Sequence, residues 1–369
     1  MKILNVAVIG VGWIGRIHCE CYRRLEPLFK DIRVVLHTVV DIVENAAKDA
    51  KLSYGFLNHT TDWKDVINNR EIDIIDICVD NMFHKDIALA AAKAGKHIAC
   101  EKPLATGVND AAQMVDAAAK FQIKNMINFN YRKVPAIAYM KEMISNNAIG
   151  ELYHIKGMFQ QDFGFDSPMS WRFKKAQAGG GSIVTMGSHL IDLGRFLFGD
   201  YSEVSAIDAT FIKNREDIKT RKLDTCDVDD ALAFITKFKN GALGMFLTSW
   251  VSRGRKHHCE LEVFGSKGSL FFNSERLNEI GLFIDSGSKQ IDGIRNVLIG
   301  EGHPNGSLFA LKTGMGIGIK ESFMIQLYDF IIAITDNKKT TPDFSDGLAV
   351  EKVSSAVIQA AQERKWVSV

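Results

Sequence analysis

The stretch ILNVAVIGVGWIG, Ile3–Gly15, decides the fold. Ile3–Ile9 is a short, nearly continuous apolar run, the pattern of a strand buried on both faces. It ends in Gly10-Val11-Gly12-Trp13-Ile14-Gly15, with the spacing G-x-G-x-x-G, and helical spacing sets in at Trp13 and extends to Phe29. On its own the glycine spacing is a weak signal. Between a strand and a helix it has a physical purpose: the glycines allow a tight turn and a close backbone approach to a pyrophosphate, which the helix N-terminus stabilises. Gly10, Gly12, Trp13, Ile14 and Gly15 are therefore expected to line a dinucleotide.

Working outward, Val34–Val40, Ile72–Val79, His97–Cys100 and Asn125–Phe129 read as further strands. The helical stretches Ala46–Lys51, Asp86–Lys93 and Asn109–Phe121 lie between them. Such alternation implies parallel pairing with right-handed crossovers, a doubly wound sheet. After Pro135 the period changes. Helix Ala136–Asn146 leads to longer strands at Leu152–Phe159, Glu203–Ile212, Asp230–Phe238, Gly241–Trp250, Glu260–Phe264 and Gly268–Phe272. Several alternate polar with apolar and are joined by Asn-Gly or Lys-Gly turns, the antiparallel pattern. The expected organisation is α/β, with domains 1–130 and 131–369.

The 369 residues carry a net charge of +1 with no basic block and no acidic tail, so nucleic acid and anionic membrane are poor partners. No uninterrupted apolar stretch reaches the ~18 residues of a membrane span. The start, MKILNVAVIG, runs into the glycine loop rather than a cleavage site, and a cytoplasmic protein is expected. Cys19, Cys21, Cys78, Cys100, Cys226 and Cys259 form no C-x-x-C pair, which suits reduced thiols. His257-His258-Cys259 suggests a metal, but adjacent residues on a strand point to opposite faces, so no metal is expected.

The chemistry follows from the strand ends, because ligands in a doubly wound sheet lie beyond them. Asp41 ends the second strand, where a carboxylate can accept both adenosine ribose hydroxyls. Ile42, Val43 and Glu44 follow, with no arginine to receive a 2′-phosphate, so NAD is expected over NADP. In AGKHIACEKPLA, Ala94–Ala105, a strand ends in Glu101-Lys102-Pro103. Lys102 is thereby aimed at the nicotinamide side, where an ammonium can hydrogen-bond a substrate hydroxyl during hydride loss, and Pro103 fixes the turn. A peptide in that turn is open to being cis. A second glycine cluster, Gly314–Gly318, has no parallel strand leading into it and reads as a loop beside the substrate, not a second nucleotide site.

These residues, the turn Asn81–His84 and above all AGKHIACEKPLA resemble the glucose–fructose oxidoreductase / inositol dehydrogenase / rhizopine catabolism (Gfo/Idh/MocA) family. The resemblance extends along nearly the whole chain, through NFNYRKVPAIAYMKEMISNNAIGELYHIKG (Asn128–Gly157), WRFKKAQAGGGSIVTMGSHLIDLGRFLFG (Trp171–Gly199) and the C-terminal helix and tail. It implies a Rossmann domain followed by an α/β domain with a large, open, mostly antiparallel sheet, whose exposed face makes homodimer or homotetramer contacts. It also implies pyridine-nucleotide-dependent oxidation or reduction of a sugar or cyclitol, with Lys102 as the catalytic lysine and His189 exchanging the substrate proton. Asn81, His84 and Glu101 are expected along the cofactor, with Trp171 and Arg172 near it.

Helical spacing supports His189 independently. Behind the Gly179–Gly181 entry, Thr185, His189 and Asp192 lie at i, i+4 and i+7, on one stripe. Inositol-dehydrogenase-like members carry an aspartate where this chain has Thr185, which puts the proton relay, the substrate or the strength of dehydrogenation in question. Asp192 either orients the imidazole or is packed structurally. Tyr131 and Arg132 either reach the substrate or pack the domain junction, and His303 either lines the sugar pocket or is exposed. Two rivals to a dehydrogenase share the fold: a glycosidase using bound NAD transiently, and a non-catalytic NAD-sensing regulator.

Overall fold

The computed structural model describes residues 1–309 and 312–369. The chain divides into two units, Met1–Asn130 with Lys320–Glu351, and Tyr131–Ile319 with Lys352–Val369.

In the first unit β1 (Lys2–Ile9), β2 (Ile32–Val40), β3 (Asn58–Thr60), β4 (Ile74–Ile77), β5 (His97–Cys100) and β6 (Asn125–Ile127) form one sheet in the order β3-β2-β1-β4-β5-β6. Every pairing is parallel. Helices α1 (Trp13–Leu25), α2 (Glu44–Tyr54), α3 (Trp63–Asn68), α4 (His84–Lys93) and α5 (Val108–Lys120) supply the crossovers. The central β1 buries Val6, Ala7 and Val8 completely, as a strand covered on both faces must. Strand order reverses between β1 and β4, which opens a crevice at their carboxyl ends. Two expectations change. The first helix stops at Leu25, not Phe29, because Pro27 lacks an amide hydrogen and a 3₁₀ turn, Glu26–Leu28, takes over. A short edge strand, β3, went unread because Asn-His-Thr has no apolar alternation, so the strand before Lys102 is the fifth.

The second unit is built on a nine-stranded sheet, ordered β16-β15-β14-β13-β7-β12-β11-β8-β17. Its strands are β7 (Leu152–Gln160), β8 (Tyr201–Ala209), β11 (Ala231–Phe238), β12 (Leu243–Ser249), β13 (His258–Gly265), β14 (Gly268–Asn273), β15 (Glu279–Ile284), β16 (Arg295–Leu298) and β17 (Val367–Ser368); β9 (Asn214–Glu216) and β10 (Leu223–Thr225) form a separate ribbon. Only β7–β12 pair in parallel. Helices α6 (Pro135–Ser145) and α8 (Ser188–Phe198) pack on one face, and α7 (Lys175–Ala178) precedes the glycine run. The other face exposes Ile207, Ile235, Leu243 and Met245.

The expected second domain, 131–369, is not one unit. Helix α9 (Ile319–Thr335) and the start of α10 (Phe344–Glu363) belong to the first. The reason is specific pairing: Asn130 donates to Ser322 Oγ at 2.7 Å, Lys320 pairs with Glu20 and Arg24 with Glu321 at 2.8 Å, and Phe29 stacks on Tyr328. Among the described residues no helix is long and apolar enough to cross a membrane.

Candidate active site

The glycine loop distinguishes its three glycines. Gly10 has φ +91°, and an added Cβ there would lie 2.6 Å from the Cys78 carbonyl oxygen. A Cβ on Gly15 would fall on the Gly10 carbonyl, so both glycines are needed for the turn and for helix–strand packing. Gly12 is different: nothing lies within 4 Å of its Cβ position. That open space at the N-terminus of α1 is where a pyrophosphate fits, beside exposed Trp13 and half-buried Ile14. Asp41 closes the loop from the end of β2. Its Oδ2 accepts from Val11 N and its Oδ1 from Val43 N, both at 2.9 Å, which fixes the carboxylate beside the glycine loop. Ile42 and Val43, the next side chains, are exposed and apolar. The residues present fit NAD.

The Glu101-Lys102-Pro103 turn follows β5 directly. Glu101 is buried, with Oε2 accepting from Lys102 N at 3.1 Å. The Lys102–Pro103 peptide is cis. His84 is wholly buried, with Nδ1 3.0 Å from the Pro103 carbonyl and Nε2 3.0 Å from the Val79 carbonyl. It braces the turn, and burial holds its pKa below the ordinary value. Asn81 begins the 3₁₀ turn Asn81–Phe83 after β4 and is buried. From α10, the buried Glu351 carboxyl lies against the Ala105 and Leu104 backbone amides; burial pushes it up to about 8. The turn is thus held from several sides within the first unit.

In the second unit, the helix bearing His189 starts abnormally. Ile183–Gly187 is a π-turn and regular α-helix begins only at Ser188. The regular α-helical stripe expected through Thr185, His189 and Asp192 is therefore interrupted between Thr185 and His189, and π-turns recur at functional sites. Asp229, just ahead of β11, makes this entry. Its carboxylate accepts from Gly181 N (3.0 Å), Ser182 Oγ (2.6 Å) and Ile183 N (3.1 Å), and burial raises its pKa to about 6. Gly181 is required because a Cβ there would fall on the Asp229 backbone.

His189 is buried in an aromatic nest. Tyr131 meets it edge-on at 5.0 Å between centroids and Phe159 lies at 6.0 Å. The Tyr131 hydroxyl is 2.7 Å from His257 Nε2, and Gln161 Nε2 donates to His257 Nδ1 at 2.6 Å. His257 and Gln161 were not foreseen; they lie far from His189 in sequence, and only the β7–β13 pairing brings them together. His258, by contrast, is buried and faces Glu260 and Glu275.

Arg132 and Asp192 form a buried bidentate pair, Nε to Oδ2 at 2.8 Å and Nη2 to Oδ1 at 2.5 Å, with Arg132 also over the Phe196 ring. His303 is built into its own turn, accepting from Gly300 N at 3.1 Å and packing edge-on to Tyr139. Trp171 and Arg172 sit on the 3₁₀ turn Trp171–Phe173, stacked on one another. The Gly314–Gly318 segment is pinned by Asn278, which exchanges two hydrogen bonds with Ile317.

Comparison with known proteins agrees with this arrangement. Residues 4–129 match the oxidoreductase family with an NAD-binding Rossmann fold, and residues 137–271 match the GFO/IDH/MocA C-terminal domain. Levoglucosan dehydrogenase of Pseudarthrobacter phenanthrenivorans is 34% identical over 386 aligned residues, covering 100% of this chain and 99% of that one. A structure of levoglucosan dehydrogenase in complex with NADH and levoglucosan superposes with a TM-score of 0.96 at 35% identity, covering 100% of both chains. Myo-inositol 2-dehydrogenase of Thermotoga maritima is 26% identical over 78% of this chain and 80% of its own. A strand–glycine–helix dinucleotide loop, a braced Glu-Lys-Pro turn and a nested helical histidine thus occur together in a chain that belongs to the Gfo/Idh/MocA oxidoreductase family.

Proposed function

We propose that Lys102 and His189 are the proton-handling groups of an NAD-dependent dehydrogenase whose substrate is a ring secondary alcohol of a sugar or cyclitol, with anhydrosugars the first class to test. The observation that carries the reading is the Glu101-Lys102-Pro103 turn, held rigidly at the open end of the sheet that carries the glycine loop. When bound, NAD supplies the hydride-accepting nicotinamide. The chain supplies binding and proton management. The Gly12 opening and the α1 N-terminus receive the pyrophosphate, and Asp41 receives the adenosine ribose. The Lys102 ammonium polarises the substrate hydroxyl, and His189 accepts its proton. Tyr131, His257 and Gln161 present hydroxyl, imidazole and amide groups beside His189, a set suited to a polyol. Thr185 puts a hydroxyl where inositol-type members have a carboxylate, so His189 works without that neighbouring charge. A second copy of the chain is proposed to cover the outer sheet face, and six unpaired buried cysteines fit a cytoplasmic setting.

The test is NADH absorbance across anhydrosugars, aldoses, inositols and sugar phosphates. NADH formation with one class identifies the substrate ring. Tight NAD binding with no NADH from any of them, but with glycoside cleavage, transfers the protein to the NAD-using glycosidases; binding without any turnover makes it a sensor.

A further inference from the structure

His18 is completely buried one turn into α1, a position that an apolar side chain would ordinarily fill. Its ring nitrogens face carboxylates that arrive on two different strands. Nδ1 is 2.8 Å from Asp76 Oδ2, on β4, and Nε2 is 3.0 Å from Glu101 Oε1, just beyond β5. The edge of its ring meets Phe323 of α9. We propose that His18, kept as an imidazolium between Asp76 and Glu101, is the positioning residue for the Glu101-Lys102-Pro103 turn; this inference rests on the reading of Lys102 as catalytic.

The protonation follows from counting donors. An ionised carboxylate only accepts, so each ring nitrogen facing one must carry a hydrogen, and only the imidazolium has two. Glu101 is surrounded by donors: His18 and Asn128 Nδ2 at Oε1, and the Lys102 amide at Oε2. Asn128 Nδ2 also lies 3.2 Å from His18 Nε2, and the run of donors around Glu101 suits its carboxylate. Asp76 is likewise faced by a second donor, the Cys78 thiol, at 3.5 Å. Burial is the largest single influence and opposes charge on His18, yet the neighbouring groups, Asp76 foremost, together outweigh it and the pKa lies well above the ordinary value. Burial opposes charge on Glu101 too, and His18 and Lys102 hold its carboxyl below the usual range. The other titratable groups facing the cluster are Cys19, Cys21, Tyr22 and Cys100, all buried, with pKa values raised by burial.

The same count argues against metal binding. His18, Asp76 and Cys78 bring ligand-type atoms within 4.8 Å of one another. An imidazolium has no lone pair to offer, and burial keeps the Cys78 thiol protonated. The cluster holds a proton where a metal centre would hold an ion.

The link to Lys102 is direct. Glu101 is both the acceptor for His18 and the acceptor for the Lys102 backbone amide, so displacing its carboxylate moves the lysine. His84 and Glu351 hold the far side of the turn through backbone groups. The near side is held through the Glu101 carboxylate, by His18 and by Asn128. Because His18 belongs to the helix that opens at Gly12, one element sets both the nucleotide loop and the lysine's anchor.

The test uses His18→Gln, which keeps a donor without the charge, and Lys102→Met. Nitrogen-15 NMR of histidine-labelled wild-type protein should show one imidazole, missing in H18Q, with both nitrogens protonated across the range where ordinary histidines titrate. H18Q should lose on the order of 10²-fold in turnover while its NAD dissociation constant stays within about threefold, and H18Q added to K102M should cost little more. An unprotonated His18 nitrogen at neutral pH overturns the inference even if H18Q fails to fold. Normal H18Q turnover, in an enzyme that K102M silences, overturns it as well. Near-normal turnover of K102M instead sinks the Lys102 reading, and the positioning role with it.

Discussion

Lys102 is singled out by its neighbours alone, because its setting is local: a strand, a carboxylate, a proline. Its replacement by methionine keeps the stem and removes the ammonium. Turnover should fall by about 10³-fold with NAD affinity little changed, since general acid–base groups contribute roughly 10²–10⁴. Stopped-flow turnover beside NAD titration separates the two, and a K102M enzyme within tenfold of wild type, an order-of-magnitude criterion, would dismiss the assignment. Asp41 gives a second residue-level expectation. Its carboxylate would repel a 2′-phosphate, and no cation adjoins it in sequence. Asp41→Asn should therefore shrink the preference for NAD over NADP by about tenfold, read as the ratio of kcat/KM values; an unchanged ratio means that Asp41 does not set it. Glu351 shows what local reading misses. Nothing near it in sequence reveals that its carboxyl packs against residues 104 and 105. With a folded pKa of about 8 against 4.5 for an ordinary glutamate, its contribution to stability is complete below about pH 4.5 and is lost as pH rises through 8. Glu351→Gln should match wild type in urea unfolding near pH 4.5 and exceed it by on the order of 3 kcal/mol at neutral pH. A stability difference independent of pH would contradict that.

At the scale of elements, periodicity located the longer helices and most long strands, passed over β3, β9, β10, β15, β16 and β17, and misjudged how the helix bearing His189 begins. The run before His189 reads as a plain helix with a glycine-rich entry. In the folded chain that entry is a π-turn organised by Asp229, a carboxylate almost fifty positions away in sequence. Long-range partners of this kind leave no periodic trace. The same limit explains why the pairing of Arg132 with Asp192 could not be read, nor the placing of His257 against Tyr131. The glycines are where sequence and structure meet most closely. Gly181→Ala pushes a Cβ into backbone that Asp229 holds in place, and overpacking of this kind costs typically 1–3 kcal/mol. We expect a lower Tm together with reduced turnover, because the displaced turn carries Thr185 and leads into the helix bearing His189. Full activity in a destabilised G181A enzyme would separate the entry from the catalytic helix.

For the molecule as a whole, the compact units part between Asn130 and Tyr131, near the change of period, whereas the grouping of Lys320–Glu351 with the first unit could not be read. Helix α9 is apolar over most of its surface, and a helix hydrophobic all round shows that it is buried without showing against what. The nine-stranded sheet carries the opposite message. Helices α6 and α8 occupy one face, and the other presents neighbouring apolar side chains in register: Ile235 pairs across to Met245, and Leu243 lies two residues along β12. Ile207, opposite Ala233, extends the patch on β8 and is 73% exposed. An open face of this kind, broken by Lys156 with Glu260 and Glu262, suits contact with an identical sheet. Two carboxylates placed in the patch, Ile235→Glu with Met245→Glu, would be desolvated and facing their own symmetry copies across a two-fold interface. Light scattering should then show a smaller species than wild type at equal concentration. Turnover per protomer should persist, because neither residue belongs to the Lys102 turn or the His189 nest. A wild-type monomer, or a double variant with unchanged mass, would return this face to solvent and leave its apolar register without a partner.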